Sequence, residues 1–522
     1  MGPSALSRAP KLAGRAALAL LAGGLIGCSL PPFGPWWLAP LGLTGAAWII
    51  SGQPVRVRAL SGFLVGAGQF TIGCVWALEF TGLGYVTLVV FEACFVAAAC
   101  AAVPPRRGRI LAFAGSLSIL EWGRDRWPFG GLPIGSTAWG QAGGPLAGLA
   151  RVGGPLLIVV ALSLAGAGLA VLASAAWARL VGARSFPWRN ALAGLAAAGL
   201  VVLVSGLAAR APDGGPPHGV VSVAIAQGGG RRGIGSLATP SGRVYAATWR
   251  VTSGVRPPVS LVVWPEDTVP LAGPLAGSPE AQELAALARR LDTTLLAGVT
   301  SPVGSSRFRN EIVAWGPSGR ILGSVEKNHP VPFGEYVPWR PVFSRIAGLT
   351  AIPRDVIVGD NDGELATPAG RVAILNSFEA FFADRARQGV RAGGELLVVE
   401  TNTASYSSDV IPAAELAASR LEAIALGRDL VQSATTGYSA VIRPDGVVAL
   451  ESELGSPDLL ETSLALRTGA TLYERFGDLP VLVGSALLVA LGWAMHFGGF
   501  SRRPAHGARR RRRTPARFRR AA

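Results

Sequence analysis

Three short stretches place residues with usable chemistry at the ends of expected strands: "LVVWPEDTVP" with Glu266, "GSVEKNHPVPFGEYVP" with Lys327, and "AILNSFEAFF" with Ser377. An acid, an amine and a hydroxyl at comparable strand ends can converge on one pocket, where such groups serve proton transfer and attack on an electrophile. Each alone has an ordinary explanation: a carboxylate in a solvated turn, a surface lysine, a serine capping the next helix. The conjunction is what points to a site. No metal cluster or cofactor motif stands out, because "GGGRRG" lacks the Lys-Ser/Thr ending of a P-loop, so neither metal nor cofactor is expected.

Positioning these residues requires a layered α/β domain, and residues 211–478 have its pattern. Strand-like runs at 220–227, 260–265, 293–300, 371–376 and 395–400 alternate with helical stretches at 278–291 and 412–427. Two hairpins turn at "GPSG" and "RPDG". Ligand sites in open α/β sheets lie beyond the carboxyl ends of strands, which is where the three residues stand.

The rest of the chain has a different composition. Half of the 522 residues are hydrophobic and 15% are charged, too apolar for an ordinary soluble enzyme. Runs at Leu12–Leu30, Pro35–Ser51, Ala59–Phe80, Leu83–Val103, Arg109–Leu120, Leu156–Leu180, Ala191–Ala209 and Leu479–Phe500 each approach the length that crosses a bilayer. This reading gives eight spans, the second and fifth being the shortest, and divides the chain into a seven-span region (1–210), an outer domain (211–478), a final helix (479–500) and an Arg-rich tail (501–522). Arg8, Lys11 and Arg15 precede the first span, and Arg56 and Arg58, Arg106, Arg107 and Arg109, and Arg179, Arg184 and Arg189 follow the even-numbered ones. The positive-inside rule therefore puts both termini in the cytoplasm and the 211–478 domain outside. The tail holds ten arginines, which read as a topology anchor on anionic headgroups rather than a nucleic-acid site. Cys28, Cys74, Cys94 and Cys100 all fall in expected spans, leaving the outer domain with neither a disulfide nor a thiol nucleophile. Cys28 sits in "LIGCS", similar to a lipoprotein cleavage box, but the following spans favour a first membrane helix over a cleaved signal.

The blocks "WPEDTVP", "EKNHPVPFGEYVP" and "NSFEAFF" resemble the three catalytic blocks of the carbon–nitrogen hydrolase (nitrilase) superfamily and, within it, the apolipoprotein N-acyltransferase family. The long block around Lys327, the eight-span layout, "EWGRDRWPFGGLP" (121–133) and "ALGRDLVQSATTGYSAVI" (425–442) carry the narrower resemblance. It implies an αββα sandwich on an eight-helix bundle in the bacterial cytoplasmic membrane. It also implies transfer of an acyl chain from a phospholipid donor to the enzyme, and then to the α-amino group of a diacylglyceryl-cysteine apolipoprotein. On that resemblance Glu266 is the general base, Lys327 stabilises the oxyanion, Ser377 holds the nucleophile position, and Glu335 and Glu379 are supporting carboxylates. The apolar arms that would shield such a pocket are expected near Val331–Ile352 and Trp122–Gly140.

The family uses cysteine where this chain has Ser377, and Phe378 stands where tyrosine is common. "QGGGRRGIG" (227–235) lacks an expected tryptophan, and "TNTASY" (401–406) departs from the Asn-Asp-aromatic pattern. A thiol with a pKa of about 8.5 needs modest help to ionise, whereas an alcohol normally borrows a well-placed base. Among the histidines, His329 is the candidate in reach, since His218 lies in a linker-like stretch and His496 and His506 fall across the membrane. Ser377 then has three readings: a weakened or inactive site, a working serine activated by Glu266 and Lys327, or a helix cap. Two function classes follow, an N-acyltransferase, or an inactive paralogue that binds lipid or scaffolds another membrane enzyme. A soluble-substrate amidase fits the fold but leaves the spans unexplained.

Overall fold

Each apolar run of the first part folds as a helix: α1 (Ala9–Cys28), α2 (Leu38–Ile50), α3 (Val55–Gly73), α4 (Gly82–Ala102), α5 (Arg109–Arg124), α6 (Ala150–Leu180) and α7 (Trp188–Ala208). The computed structural model describes residues 9–181, 188–343 and 352–498; the Arg-rich tail, Arg8, Arg184 and residues 344–351 of one expected arm lie outside them. Among the described residues four helical stretches are long and apolar enough to cross a membrane: Gly82–Ala102, Ala147–Leu180, Trp188–Ala208 and Leu479–Gly498. Two more, Leu12–Cys28 and Leu38–Ile50, are apolar but shorter.

The two ends of the bundle differ. At one, Arg15 donates to Gln53 (3.0 Å), Arg58 to the carbonyls of Gln53 (2.7 Å) and Ala101 (3.0 Å), and Trp493 Nε1 to the carbonyl of Ala102 (2.8 Å). The start of α1, the α2–α3 turn, the end of α4 and the later part of the final helix thus share one side. The other end meets the α/β domain. There Glu79 accepts from Ser407 and Ser408, and Arg126 reaches Asp384 (2.8 Å) and Asp478 (3.1 Å). The buried Arg124 pairs with Glu92 (3.1 Å) and Glu121 (2.8 Å) and donates to the carbonyl of Leu132, fixing the turn that follows α5.

The domain is built on two mixed sheets. The first has strand order β14-β1-β2-β4-β5-β6, with β3 beside β4 and β7 beside β5; the second has order β13-β12-β11-β10-β9-β8. In chain order these are β1 (Gly219–Gln227), β2 (Leu261–Val263), β3 (Val269–Pro270), β4 (Thr294–Val303), β5 (Arg307–Trp315), β6 (Ile321–Glu326) and β7 (Asp355–Val356). The second sheet contributes β8 (Glu364–Thr367), β9 (Gly370–Asn376), β10 (Leu396–Thr401), β11 (Leu430–Ala434), β12 (Ala440–Ile442) and β13 (Val448–Glu451), and β14 (Asp458–Leu466) returns to the first. β1, β2 and β4 run parallel, as do β9, β10 and β11, and antiparallel strands flank both sets. The expected strand at 260–265 is shorter, because the chain leaves the sheet at Trp264 and Pro265.

Between the sheets Val223, Ile225, Val263 and Leu296 pack with Ile374, Val398 and Val431. This is the inner layer that β-branched runs buried on both faces produce. Helices α8 (Ser241–Thr252) and α9 (Pro279–Leu291) cover the first sheet, with Leu284 and Leu287 packed beside Trp264. Ser278 caps α9 by accepting from the Ala281 N–H at 3.1 Å, and Pro279 starts the helix without a donor to satisfy. Helices α10 (Ala383–Arg391) and α11 (Val410–Leu426) cover the second sheet, completing the expected αββα layering. α11 is buried on nearly all sides, and its core is continuous with Ile158 and Leu162 of α6. Its alanines let sheet, helix and bundle approach closely.

A kink inside α6, where Gly153 and Gly154 leave helical geometry, makes that junction fit. Gly154 has φ of 66°, and a Cβ there would lie 2.5 Å from the Tyr473 ring, next to the final helix α12 (Leu479–Gly498). Gly154→Ala is expected to destabilise the protein by about 1–3 kcal/mol, read as a lower thermal midpoint in detergent. Gly148→Ala, where a Cβ meets nothing within 4 Å, should leave the midpoint in place.

Candidate active site

The ends of the two sheets meet around a buried ammonium. Glu266 follows β2 by three residues, and Gly298 of β4 makes room for it, since a Cβ there would come 2.5 Å from the Glu266 Cα. Lys327 follows β6 directly and anchors its N–H on the Asn310 carbonyl at 3.0 Å. Its Nζ lies 2.8 Å from Glu266 Oε1 and 2.9 Å from Glu335 Oε1, with the lysine side chain 1% exposed. Asn310 Nδ2 donates to the same two oxygens at 2.9 and 3.1 Å, and Glu335 Oε2 accepts the Val331 N–H at 2.7 Å. Burial alone would pull the Lys327 pKa down, but the two carboxylates more than reverse this and hold it above its ordinary value. The amine is therefore a fixed cation.

Ser377 stands at the end of β9 with φ of 53°, a left-handed conformation that strains a residue carrying a Cβ. The strand turns there into a single 3₁₀ stretch, Ser377–Phe381. Glu379 holds the turn. Its Oε2 accepts the Asn376 N–H at 2.9 Å, and its Oε1 accepts the N–H groups of Asn328 (2.6 Å) and His329 (3.1 Å) from the Lys327 loop. Desolvation would raise the Glu379 pKa, yet Arg385, the nearby His329 ring and these backbone N–H groups lower it to about 2. His329 Nδ1 itself lies 3.9 Å from Oε1, beyond hydrogen-bond range. Asn376 Nδ2 also donates to Asn310 Oδ1 at 3.0 Å, so the serine turn and the Glu266–Lys327–Glu335 group share one asparagine.

Two readings of Ser377 are corrected by this geometry. It is not a helix cap, because its Oγ lies 3.2 Å from Thr401 Oγ1 rather than on a helix N–H. His329 does not serve it either: that ring stacks on Phe382 with centroids 4.3 Å apart. His218 pairs with Glu395 at 3.1 Å, away from the site.

Several site residues were given no role by the sequence reading, although Thr401 and Asn402 stand in the "TNTASY" block that it noted. Asn310 is one, a polar residue inside a buried strand run "NEIVAW". Asn402 is another: its N–H donates to Glu266 Oε2 at 3.0 Å and its Nδ2 to Asp267 Oδ2 at 3.2 Å. Thr401 and Glu415 are the others, with Thr401 Oγ1 2.8 Å from each Glu415 oxygen. The signal for Glu415 was a carboxylate amid the alanines of "PAAELAAS". Burial, with Glu266 adding repulsion, pushes the Glu415 carboxyl up to about 8, and burial beside Glu266 pushes Asp267 to about 7. The expected arms meet: Phe129 packs edge-on against Phe333, Trp339 and Phe343, and Tyr336 donates to the Phe129 carbonyl at 3.0 Å.

Residues 22–168 match the family described as apolipoprotein N-acyltransferase N-terminal domain, and residues 246–472 match the carbon-nitrogen hydrolase family. The chain is 30% identical over 536 residues to an apolipoprotein N-acyltransferase of Rhodopseudomonas palustris, covering 91% of this chain and 94% of that one. It is 30% identical over 512 residues to an apolipoprotein N-acyltransferase of Azotobacter vinelandii, covering 92% and 94%. Among solved structures it is similar to Nit3 of Saccharomyces cerevisiae, a member of the nitrilase superfamily, at 16% identity and a TM-score of 0.35, covering 48% of this chain and 91% of that one.

Glu379 generates a stability prediction. Its folded pKa of about 2 lies below the ordinary value of about 4.3, so its contribution is complete above that ordinary value and is lost as pH falls through about 2. Glu379→Gln leaves the fully buried Arg385 without its carboxylate and should cost about 3–5 kcal/mol. Thermal midpoints measured from pH 6 to pH 2.5 should fall steeply in the wild type and less steeply in the variant.

Proposed function

The chain belongs to the apolipoprotein N-acyltransferase family, and from that premise we propose that Ser377 is the nucleophile through which it works. The enzyme is an acyltransferase whose reaction carries an acyl chain from a phospholipid to the N-terminal diacylglyceryl-cysteine of a bacterial lipoprotein. The observation that carries the assignment of residues is the buried Glu266–Lys327–Glu335 group joined to the Ser377 turn through Asn310 and Asn376. The intact group supports catalysis over a scaffolding role for another membrane enzyme.

In the first step Ser377 Oγ bonds to the acyl carbonyl carbon and gives up its proton, the carbon–oxygen bond to the glycerol breaks, and that proton passes to the glycerol oxygen, so that lysophospholipid leaves as the alcohol. Negative charge on the carbonyl oxygen is met by the Lys327 ammonium, whose orientation is set before substrate arrives. In the second step the α-amino group of the acceptor attacks the serine ester. Its proton passes by way of Glu266 to the departing Ser377 oxygen, leaving an amide and a free hydroxyl. Glu335 and Glu379 are supporting groups: one keeps Lys327 charged and the other holds the serine turn.

The reading includes a topology. Eight spans, with the 211–478 domain outside the cytoplasmic membrane and both termini inside, are supported by the side shared by Arg15, Arg58 and Trp493, opposite the end that carries the domain. On this reading residues 1–210 form the seven-span region, 479–500 the last helix, and 501–522 a cytoplasmic tail.

Intact-protein and peptide mass spectrometry of purified protein incubated with phospholipid tests the reading. An acyl adduct is expected on the peptide containing Ser377, absent in Ser377→Ala and formed about 10²-fold or more slowly in Glu266→Gln, which loses the carboxylate that orients Lys327. A diacylglyceryl-cysteine peptide should discharge it. No adduct on wild type, with a clear one on Ser377→Cys, would overturn the serine nucleophile.

A further inference from the structure

We propose that Thr401 and Glu415 form a proton relay serving the Ser377 hydroxyl, so that helix α11 supplies the base an alcohol nucleophile needs. The inference rests on the reading of Ser377 as nucleophile. Ser377 Oγ lies 3.2 Å from Thr401 Oγ1, which lies 2.8 Å from both oxygens of Glu415. A threonine hydroxyl has one hydrogen to give and lone pairs to accept with. With Glu415 ionised, Thr401 donates to the carboxylate and accepts from Ser377, giving a directed chain from nucleophile to base.

The fold builds this chain from both sides. Asn376 of β9 pairs with Glu400 of β10, which sets Thr401 beside Ser377, and α11 packs on the outer face of the same sheet. Glu415 is 2% exposed and, among the described residues, has no hydrogen-bond partner besides Thr401. A carboxyl buried so deeply carries a desolvation cost that a mere support for Thr401 does not require. Glu266, by contrast, already accepts from Lys327, Asn310 and the Asn402 N–H, and Ser377 is not among its donors.

The step balances without an added reactant. As Ser377 Oγ bonds to the acyl carbon, its proton moves to Thr401 while the Thr401 proton moves to Glu415. As the bond to the glycerol oxygen breaks, the same shift runs in reverse and delivers the proton to the leaving oxygen, which sits on the carbon just joined to Ser377. Thr401 touches the reacting oxygen; Glu415 acts through it as a positioning residue and proton store.

Glu415 at about 8 ionises near working pH, where a base is most useful. The groups that face it are Tyr406, on the loop after β10, and Glu266 and Lys327 across the pocket. On the turn and helix packed against α11, Glu379 and Arg385 are paired with each other, and Glu79 of the bundle is held by Ser407 and Ser408. The ionised fraction of Glu415, and with it the acylation rate, should rise with pH through about 8.

The test measures the rate of acyl-adduct formation on the full-length protein in phospholipid nanodiscs from pH 6 to pH 9.5. Glu415→Gln and Thr401→Val should each slow acylation about 10²-fold and remove the rise through pH 8, and Thr401→Ser should recover at least about tenfold over Thr401→Val. In a Ser377→Cys background the Glu415→Gln penalty should shrink at least about tenfold, since a thiol ionises with less help. Equal penalties in both backgrounds, or an unchanged pH profile in Glu415→Gln, would overturn the relay while leaving the transferase intact. A wild type that forms no adduct at any pH would sink the nucleophile assignment and the relay with it.

Discussion

A lysine ammonium buried between two carboxylates is the constraint on which the domain turns. Taking Lys327 out of water is tolerable only with Glu266 and Glu335 against it, and neither carboxylate is tolerable there without the lysine. Glu266 comes from the end of β2, Lys327 from the end of β6 and Glu335 from the loop that folds back over it. The second oxygen of Glu266 takes the Asn402 N–H from just past the end of β10, in the other sheet. Sheet-on-sheet packing and charge pairing are thus one requirement. A sandwich that slipped by one residue would strand a buried charge.

The serine turn is tied into the same requirement by short polar links rather than by hydrophobic contact. Asn310 donates to both carboxylates and accepts from Asn376, the residue before Ser377. Glu379 joins that turn to the backbone immediately after Lys327. The bundle enters at the next level. α11 lies between the second sheet and α6, and the turn fixed by Arg124 carries Phe129 to the aromatic arm. The helical bundle and the α/β domain consequently share a core, so strain in one is felt in the other.

What the sequence disclosed follows from the range of the interactions involved. Strands β1, β4, β9 and β10 and helix α9 were legible because β-branched runs, a capping serine and a starting proline act locally. Glu266, Lys327 and Ser377 were legible because each stands just past a strand, and Glu335 and Glu379 because they sit in the same motifs. Asn310 was not, since its side-chain partners lie 25, 44 and 66 residues away and nothing in "RFRNEIVAW" names them. Thr401 and Glu415 look ordinary until β10 is set beside β9 and α11 laid on the sheet. The eight apolar runs did form helices, but α2, at 13 residues, is shorter than its expected run, whereas α5, at 16, continues past its own to Arg124.

The substitution of an alcohol for a thiol is therefore best judged by its surroundings, not by the one atom changed. A non-glycine residue at φ of 53° costs about 1–3 kcal/mol, and here Glu379 and Asn310 hold the turn in that conformation. A side chain with no task would be better replaced there by glycine, which adopts the conformation without strain. Instead the position keeps a side chain, points it at Thr401, and places beneath Thr401 a carboxyl that burial makes more basic than usual. An alcohol needs a stronger and better-placed acceptor than a thiol does. The features that are costly for stability at this turn, a left-handed serine and a buried glutamate, are the ones that such a nucleophile requires.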